Sequence, residues 1–347
     1  MRNWQFFLAA LAVGIIAFIA ARLIGNDYVY FAGYVVLQFV VLATAWNILG
    51  GYCGYVNFGS AAFFAIGAYT TVALNKFPRF SERYLSEGLH SIVETIFPLP
   101  IPLLIVLGGI IAGLVGLGTG YLTLRLRGVF FAIATLALAV VLQTLIVNWD
   151  YVGGSRGAYI IRPNTTDYFN INYIEYLFLV MLVLAIVAIT VARSIERSQL
   201  GYGFATIRDD ELAAEATGVP TLRLKLIATT LSGAFMGMAG APFPYYIGYL
   251  EPASAFGLAY AVNAIAMPMI GGTTSWVGPL IGAILLGTLQ QVASVTISSA
   301  VSLLIVGLLL VFFVVIAPNG IIGLWHKYFP SKDSDIRERE REAEGAA

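Results

Sequence analysis

Runs of apolar residues long enough to cross a bilayer recur along this chain, and they constrain its fold more than any other feature. A membrane core is spanned by a helix of about 20 apolar residues. Suitable runs fall at 5–24, 28–49, 57–75, 102–124, 128–149, 174–193, 223–243, 254–272, 277–297 and 299–317. Charged residues make up only 11% of the chain, against about 25% in a soluble domain. No single core could hide that much apolar surface, so most of it must face lipid. The expected fold is all-α, a polytopic membrane protein with ten or so transmembrane helices. The first run follows Arg2 and continues to Leu23, too long for a signal-peptide core and with no small-residue cleavage site, so it reads as a span. The third is interrupted by Gly51, Gly54, Gly59 and Gly67. One or two broken or re-entrant helices are therefore expected, tolerated only within protein or beside a cavity.

Loop charge sets the orientation. With the N-terminus inside, the inner side holds Arg2, Arg125, Arg127, Arg193, Arg197, Arg208, Arg223, Lys225, Lys327, Lys332, Arg337, Arg339 and Arg341. The outer side holds Arg22, Lys76, Arg79, Arg83, Arg156 and Arg162. Thirteen against six favours a multi-pass protein with both termini cytoplasmic. Trp149 and Trp325 fall at span ends, as interfacial anchors should. Three segments outside the lipid are long enough to carry structure: 76–101, 150–173 and 194–222. Residues 1–325 read as one transmembrane domain, and 326–347 as a charged cytoplasmic tail, a solvated helix or disordered.

No Asp, Glu, Lys, Arg or His lies in the middle of a span; the nearest, Arg22, Glu175, Arg193 and Arg223, lie at ends. Intramembrane charge usually marks a proton relay or ion site, so the pattern disfavours a proton-coupled carrier. Sodium coupling through backbone carbonyls stays open. A membrane enzyme working by acid–base chemistry is disfavoured on the same ground. A lone Cys53 excludes an internal disulfide, and two distant histidines, His90 and His326, make a metal centre improbable. The net charge of zero gives no reason to expect nucleic acid as a partner. No phosphate-binding Gly-x-x-x-x-Gly-Lys-Ser/Thr loop is present, so no cofactor or ATP is expected on this chain.

The segment 201–225 reads GYGFATIRDDELAAEATGVPTLRLK. Thr206 with Asp209 has capping-box spacing, Asp209, Asp210 and Glu211 crowd the expected first turn, and Gly218 with Pro220 closes the helix. This is either an ordinary amphipathic connector or a docking helix for a cytosolic motor.

The stretch Glu211-Leu212-Ala213-Ala214-Glu215-Ala216-Thr217-Gly218-Val219-Pro220 resembles the motif by which ABC-importer permeases contact their ATPase. Its surroundings resemble the branched-chain amino acid ABC-permease family, in particular the M-type subunit. Three further stretches match: AWNILGGYCGYVNFGSAAFFAIGAYT (45–70), TLSGAFMGMAGAPFPYYIGYLEPASAF (230–256) and MIGGTTSWVGPLIGAILLG (269–287). The likeness runs from about 30 to 325. It implies an inner-membrane assembly of two related permease chains, two ATP-binding subunits and a periplasmic substrate-binding protein. Translocation of branched-chain amino acids, urea or short amides would be driven by ATP hydrolysed in the partner chains, with no enzymatic activity here. The loop 194–222 would seat on an ATPase subunit through Arg208, Glu211, Ala214, Glu215, Gly218 and Pro220. Two departures stand out: the 76–97 stretch is longer and more charged than expected, and Gly51-Tyr52-Cys53-Gly54-Tyr55 more aromatic.

Candidate passage residues are Asn57, Phe58 and Ser60 in the Gly-rich segment, Asn263, and Thr273 with Ser275 in a Gly/hydroxyl turn. For each, a bland reading stands beside the functional one: the glycines permit close packing, and the amides, with Gln143, Asn148, Gln290 and Gln291, bond between helices. Tyr245, Tyr246 and Tyr249 suit an interfacial belt, with an outer gate as the other reading. The 150–173 loop is a candidate binding-protein surface. The rival to an ATP-driven importer is a stand-alone secondary carrier or channel.

Overall fold

The computed structural model describes residues 3–84, 86–160, 172–296, 299–316 and 320–328. The long helices are α1 (Asn3–Ile24), α2 (Asp27–Gly50), α3 (Ser60–Tyr84), α5 (Ile101–Thr123), α6 (Val129–Val147) and α7 (Tyr173–Glu196), with α4 (Glu87–Ile96) a shorter one between α3 and α5. Two short helices follow, α8 (Gln199–Asp209) and α9 (Glu211–Ala216). The chain then runs through α10 (Thr221–Gly240), α11 (Phe243–Ile247), α12 (Pro252–Ala255), α13 (Leu258–Gly271), α14 (Val277–Thr296), α15 (Ser299–Ile316) and α16 (Gly320–Tyr328).

Among the described residues, eight segments are long and apolar enough to cross a membrane: α1, α2, α5, α6, α7, α10 with α11, α12 with α13, and α14. Each matches an expected run, and α15 occupies the last of the ten. The third run behaves differently. Helix α2 stops at Gly50, residues 51–59 leave helical geometry, and α3 begins at Ser60. Gly54 supplies the turn at φ +78°, a conformation closed to most side chains. Helix α3 then continues to Tyr84 through Pro78, carrying Asn75, Lys76, Arg79 and Glu82 in its second half. The charged stretch from 76 is thus helical, and α4 packs back on α3, with Ser81 Oγ 3.0 Å from His90 Nδ1.

Helices α2 and α10 form the buried centre. Helix α10 packs on α5, α3 and α2, and α2 packs in turn on α7 and α14. Lipid removes most of the hydrophobic drive for helix association, so close van der Waals packing must supply it. At the α3–α10 crossing the backbones nearly touch: a Cβ on Gly67 would stand 1.9 Å from the Gly237 carbonyl oxygen. The packing reading of Gly67 follows directly. Helices α1 and α6 lie at the edge, burying only Gly14 and Ala21, and Phe131 and Thr135, respectively.

At one end of the bundle, Ala158–Tyr159 pairs antiparallel with Tyr249–Leu250, in the register Ala158 to Leu250. This two-residue ladder ties the α6–α7 connection to the α11–α12 connection and had no sequence signal. Residues 161–171 of the expected binding-protein surface, and the tail from 329 onward, lie outside the described residues.

Candidate functional site

The segment expected to form one short helix forms two. Asp209 ends α8, and Thr206 Oγ1 donates back to the Gly203 carbonyl at 2.9 Å within it, so the Thr206–Asp209 capping box is not made. The cap is Asp210, extended at φ −159°, whose Oδ1 accepts from the Leu212 and Ala213 amides at 2.9 and 3.1 Å. That bend between α8 and α9 needs an extended residue with a side-chain acceptor, which Asp210 provides. Gly218, at φ +85°, stops α9 as expected. Its amide bonds Glu215 O at 3.0 Å and that of Val219 bonds Ala214 O at 3.0 Å, the paired bonds of a Schellman ending. Pro220, the N-cap of α10, then redirects the chain.

Ala214 is buried beneath α9, while Leu212, Ala213, Ala216 and Gly218 face outward. Arg208 sits at the end of α8 beside Asp209, at 3.3 Å, with its backbone against Gly54 of the broken segment. Glu215 accepts from Arg127 Nη2 at 3.0 Å and from Thr221 Oγ1 at 2.9 Å. Glu211 turns inward, its side chain only 12% exposed. Its Oε1 meets Lys225 Nζ at 2.7 Å and Arg127 Nε at 3.3 Å, and its Oε2 accepts from the Tyr55 hydroxyl. Lys225 is itself buried and donates to Leu124 O at 3.3 Å. Burial alone would raise the Glu211 carboxyl. Hydrogen bonds from Lys225 and Tyr55, with the charges of Lys225 and Arg127, outweigh it and hold the group below the usual carboxylate range.

Lys225, Arg127 and Tyr55 carry this network and were not singled out from the sequence, where Lys225 and Arg127 counted only as loop charge. Tyr55 did leave a signal, as one of the two tyrosines that make the Gly-rich stretch unusually aromatic. The other, Tyr52, donates to Glu196 Oε2 at 3.3 Å, and the same oxygen accepts the Trp276 amide at 2.7 Å. Glu196 thereby joins α7 to the turn that opens α14. Nearby, the buried Arg193 guanidinium lies 3.9 Å from the Phe6 ring centroid, fixing α1 to this end of the bundle. A cavity of about 540 Å³ opens between the broken segment, the start of α6 and the α8–α9 bend.

The structure separates the candidate passage residues. Asn57 is buried and spends its Oδ1 on the Gly59 amide at 2.7 Å, while its carbonyl accepts from Trp46 Nε1 at 2.9 Å. Phe58 donates its amide to Thr135 Oγ1 at 3.2 Å. Among the described residues, Ser60 Oγ is buried without a hydrogen-bond partner, as are both polar atoms of the Asn47 side chain and Thr44 Oγ1 on α2. Asn263 accepts from Gln290 at 2.9 Å, the interhelical bond expected of buried amides. Ser275 Oγ accepts the Val277 amide at 3.3 Å at the start of α14, and Thr273 packs its carbonyl against Gly51. Tyr245 is buried and bonded to Asn75 at 2.9 Å, which does not suit an interfacial belt, while the half-buried Tyr246 stacks on Tyr34 at 4.5 Å.

Among the described residues, eight membrane-length segments around a centre built by close helix packing define a polytopic membrane protein. The sequence profile of the branched-chain amino acid transport system permease component matches residues 28–314, and the chain belongs to that family. It is 27% identical over 310 residues to the high-affinity branched-chain amino acid transport system permease protein LivM of Salmonella typhimurium, covering 82% of this chain and 68% of that one. The Escherichia coli LivM is 28% identical over the same shares. The autoinducer 2 import system permease protein LsrC of Yersinia enterocolitica is 25% identical over 52% of this chain and 51% of its own length. No solved structure matches the chain.

Proposed function

We propose that this chain is one of the two permease subunits of an ATP-driven importer in a bacterial-type inner membrane, carrying branched-chain amino acids handed over by a periplasmic binding protein. The observation that carries the reading is the family match across residues 28–314, reinforced by two LivM proteins as relatives. A second homologous permease would complete the passage, and two ATP-binding subunits would supply the hydrolysis. The α8–α9 face is then cytoplasmic, with both termini on that side. Helix α9 docks the ATPase through its outward face, stiffened by the Asp210 cap and the Gly218 stop. Arg208, Glu215, Gly218 and Pro220 shape that surface, while the buried Ala214 seats the helix on the bundle and Glu211 anchors it from below. Asn57, Phe58, Ser60, Asn263, Thr273 and Ser275 serve the passage. Ser60 is best placed to meet solute, because its buried hydroxyl is unpartnered.

Uptake of labelled leucine into proteoliposomes holding the full assembly tests the proposal, with urea in parallel. Leucine uptake that needs both ATP and the binding protein supports mechanism and cargo together. Urea uptake instead keeps the mechanism and changes the cargo. Solute movement through this chain alone, without ATP, overturns the reading in favour of a carrier or channel.

A further inference from the structure

Glu211 is shared by three elements that a docking helix would have to move. Its carboxylate takes donors from Tyr55 in the broken segment, from Arg127 in the α5–α6 turn and from Lys225 on α10. Hydrogen bonds to an ionised group are shorter and stronger than neutral ones, and this one lies mostly out of water. Lys225 continues the connection to the Leu124 carbonyl at the end of α5, at 3.3 Å. One side chain of a six-residue helix therefore grips the ends of two spans and a loop.

The grip on the loop differs from the other two. Arg127 and Lys225 lead into regular helix ends, whereas Tyr55 leads into the irregular 51–59 segment. That segment is wired residue by residue to the bundle. Asn57 receives Trp46, Phe58 donates to Thr135, and the chain ends at Ser60, whose hydroxyl is buried and unpartnered. The Tyr55 ring stands edge-on to Phe131 at 5.0 Å, so its hydroxyl is held toward Glu211. The cavity of about 540 Å³ lies on the free side of the same segment, lined in part by Tyr55, Phe58, Val129 and Glu211. The segment thus has space to shift and one charged link to α9.

We infer that Tyr55 is the positioning residue through which displacement of α9 reaches the broken segment before α3, and with it Ser60. The inference rests on α9 being the ATPase-docking helix. Contact through space is not coupling, and a static brace would look the same. The two differ in what they do to turnover. A brace lost lowers stability and subunit binding, while a transmitting link lost lets ATP be spent without transport.

The test measures ATP hydrolysed per leucine taken up in the reconstituted assembly, for Tyr55→Phe, Glu211→Gln and the double variant. Thermal stability and ATPase copurification are read on the same preparations. Tyr55→Phe keeps the ring and removes only the hydroxyl. It is expected to raise the ATP-to-leucine ratio about three- to tenfold, with stability and copurification unchanged. The effects should be less than additive in the double variant, because Glu211→Gln turns the charge-assisted bond from Tyr55 into a weaker neutral one. An unchanged ratio in Tyr55→Phe, a drop in stability in its place, or additive effects would each overturn the inference. Leu212→Arg, on the exposed face of α9, keeps the docking reading separate. If it leaves the ATPases bound, docking on α9 fails and the inference with it. If it releases them while Tyr55→Phe leaves the ratio unchanged, docking stands and only the link falls.

Discussion

Lys225 and Glu211 illustrate how an ionic pair at a membrane protein's edge is kept. Lys225 is 3% exposed, and its ammonium donates to Glu211, Tyr55 and Leu124. Removing one partner of a buried pair strands the other, typically at about 3–5 kcal/mol. Lys225→Met should therefore lower the unfolding midpoint in detergent sharply. Glu211→Gln with Lys225→Met should recover much of the loss, since no buried charge is then left alone. Acid should act on the same group. A carboxyl held low in the folded chain contributes stability above its unfolded value of about 4.3, and loses it as pH falls through the lower folded value. The midpoint should be insensitive to Glu211 between about pH 8 and 5. It should drop below about pH 4, with a shallower acid limb in Glu211→Gln.

At the scale of elements, α9 is too short to persist unaided, because isolated helices below about 12–15 residues are marginal in water. Its order comes from the Asp210 cap, the Gly218 stop and the Glu211 anchor. Gly218→Val should cost about 1–2 kcal/mol through its left-handed backbone, although a Cβ there meets nothing within 4 Å. Gly218→Asn should be tolerated better, and the ATP-to-leucine ratio should rise for valine and not for asparagine. A Gly67→Ala variant should express poorly for a different reason: its methyl would stand 1.9 Å from the Gly237 carbonyl oxygen. Gly118→Ala on α5, with open space around it, should behave as wild type. The spans were legible because bilayer thickness dictates their length, and Gly218 was legible because helix ends have their own chemistry. The cap of α9 lies four residues beyond the Thr206 that the spacing suggests, since three consecutive acids, Asp209 to Glu211, all suit a first turn and only the bend selects Asp210 as the cap. The Glu211–Lys225–Tyr55 contact was not legible, because Tyr55 and Glu211 are 156 positions apart and nothing periodic relates them. The belt assigned to Tyr245 failed because it was read from position near a span end, while its hydroxyl found a buried partner in Asn75.

For the whole molecule, the orientation carries the rest of the functional reading, since an ATPase can meet α9 only from the cytoplasm. Thirteen basic residues against six predict that orientation from the sequence, but the three in 76–97 pull the other way. The single cysteine makes a direct test clean. Cys53 is buried, and burial pushes its thiol up to about 12, with Glu211 adding to the effect and Lys225 opposing it. Thiolate is the reactive form, so the native chain should stay almost unlabelled by maleimide at neutral pH. Tyr159→Cys sits on the β-ladder end at a residue 81% exposed, and Leu212→Cys sits on α9 at one 64% exposed. A membrane-impermeant maleimide added to intact cells with a permeabilised outer membrane should label position 159 and spare 212. Opening the inner membrane should make 212 reactive unless the ATPase covers it, and stripping the ATPase should then expose it. The reverse pattern would put α9 in the periplasm, where no nucleotide-driven motor could reach it, and the importer reading would have to give way to the stand-alone carrier.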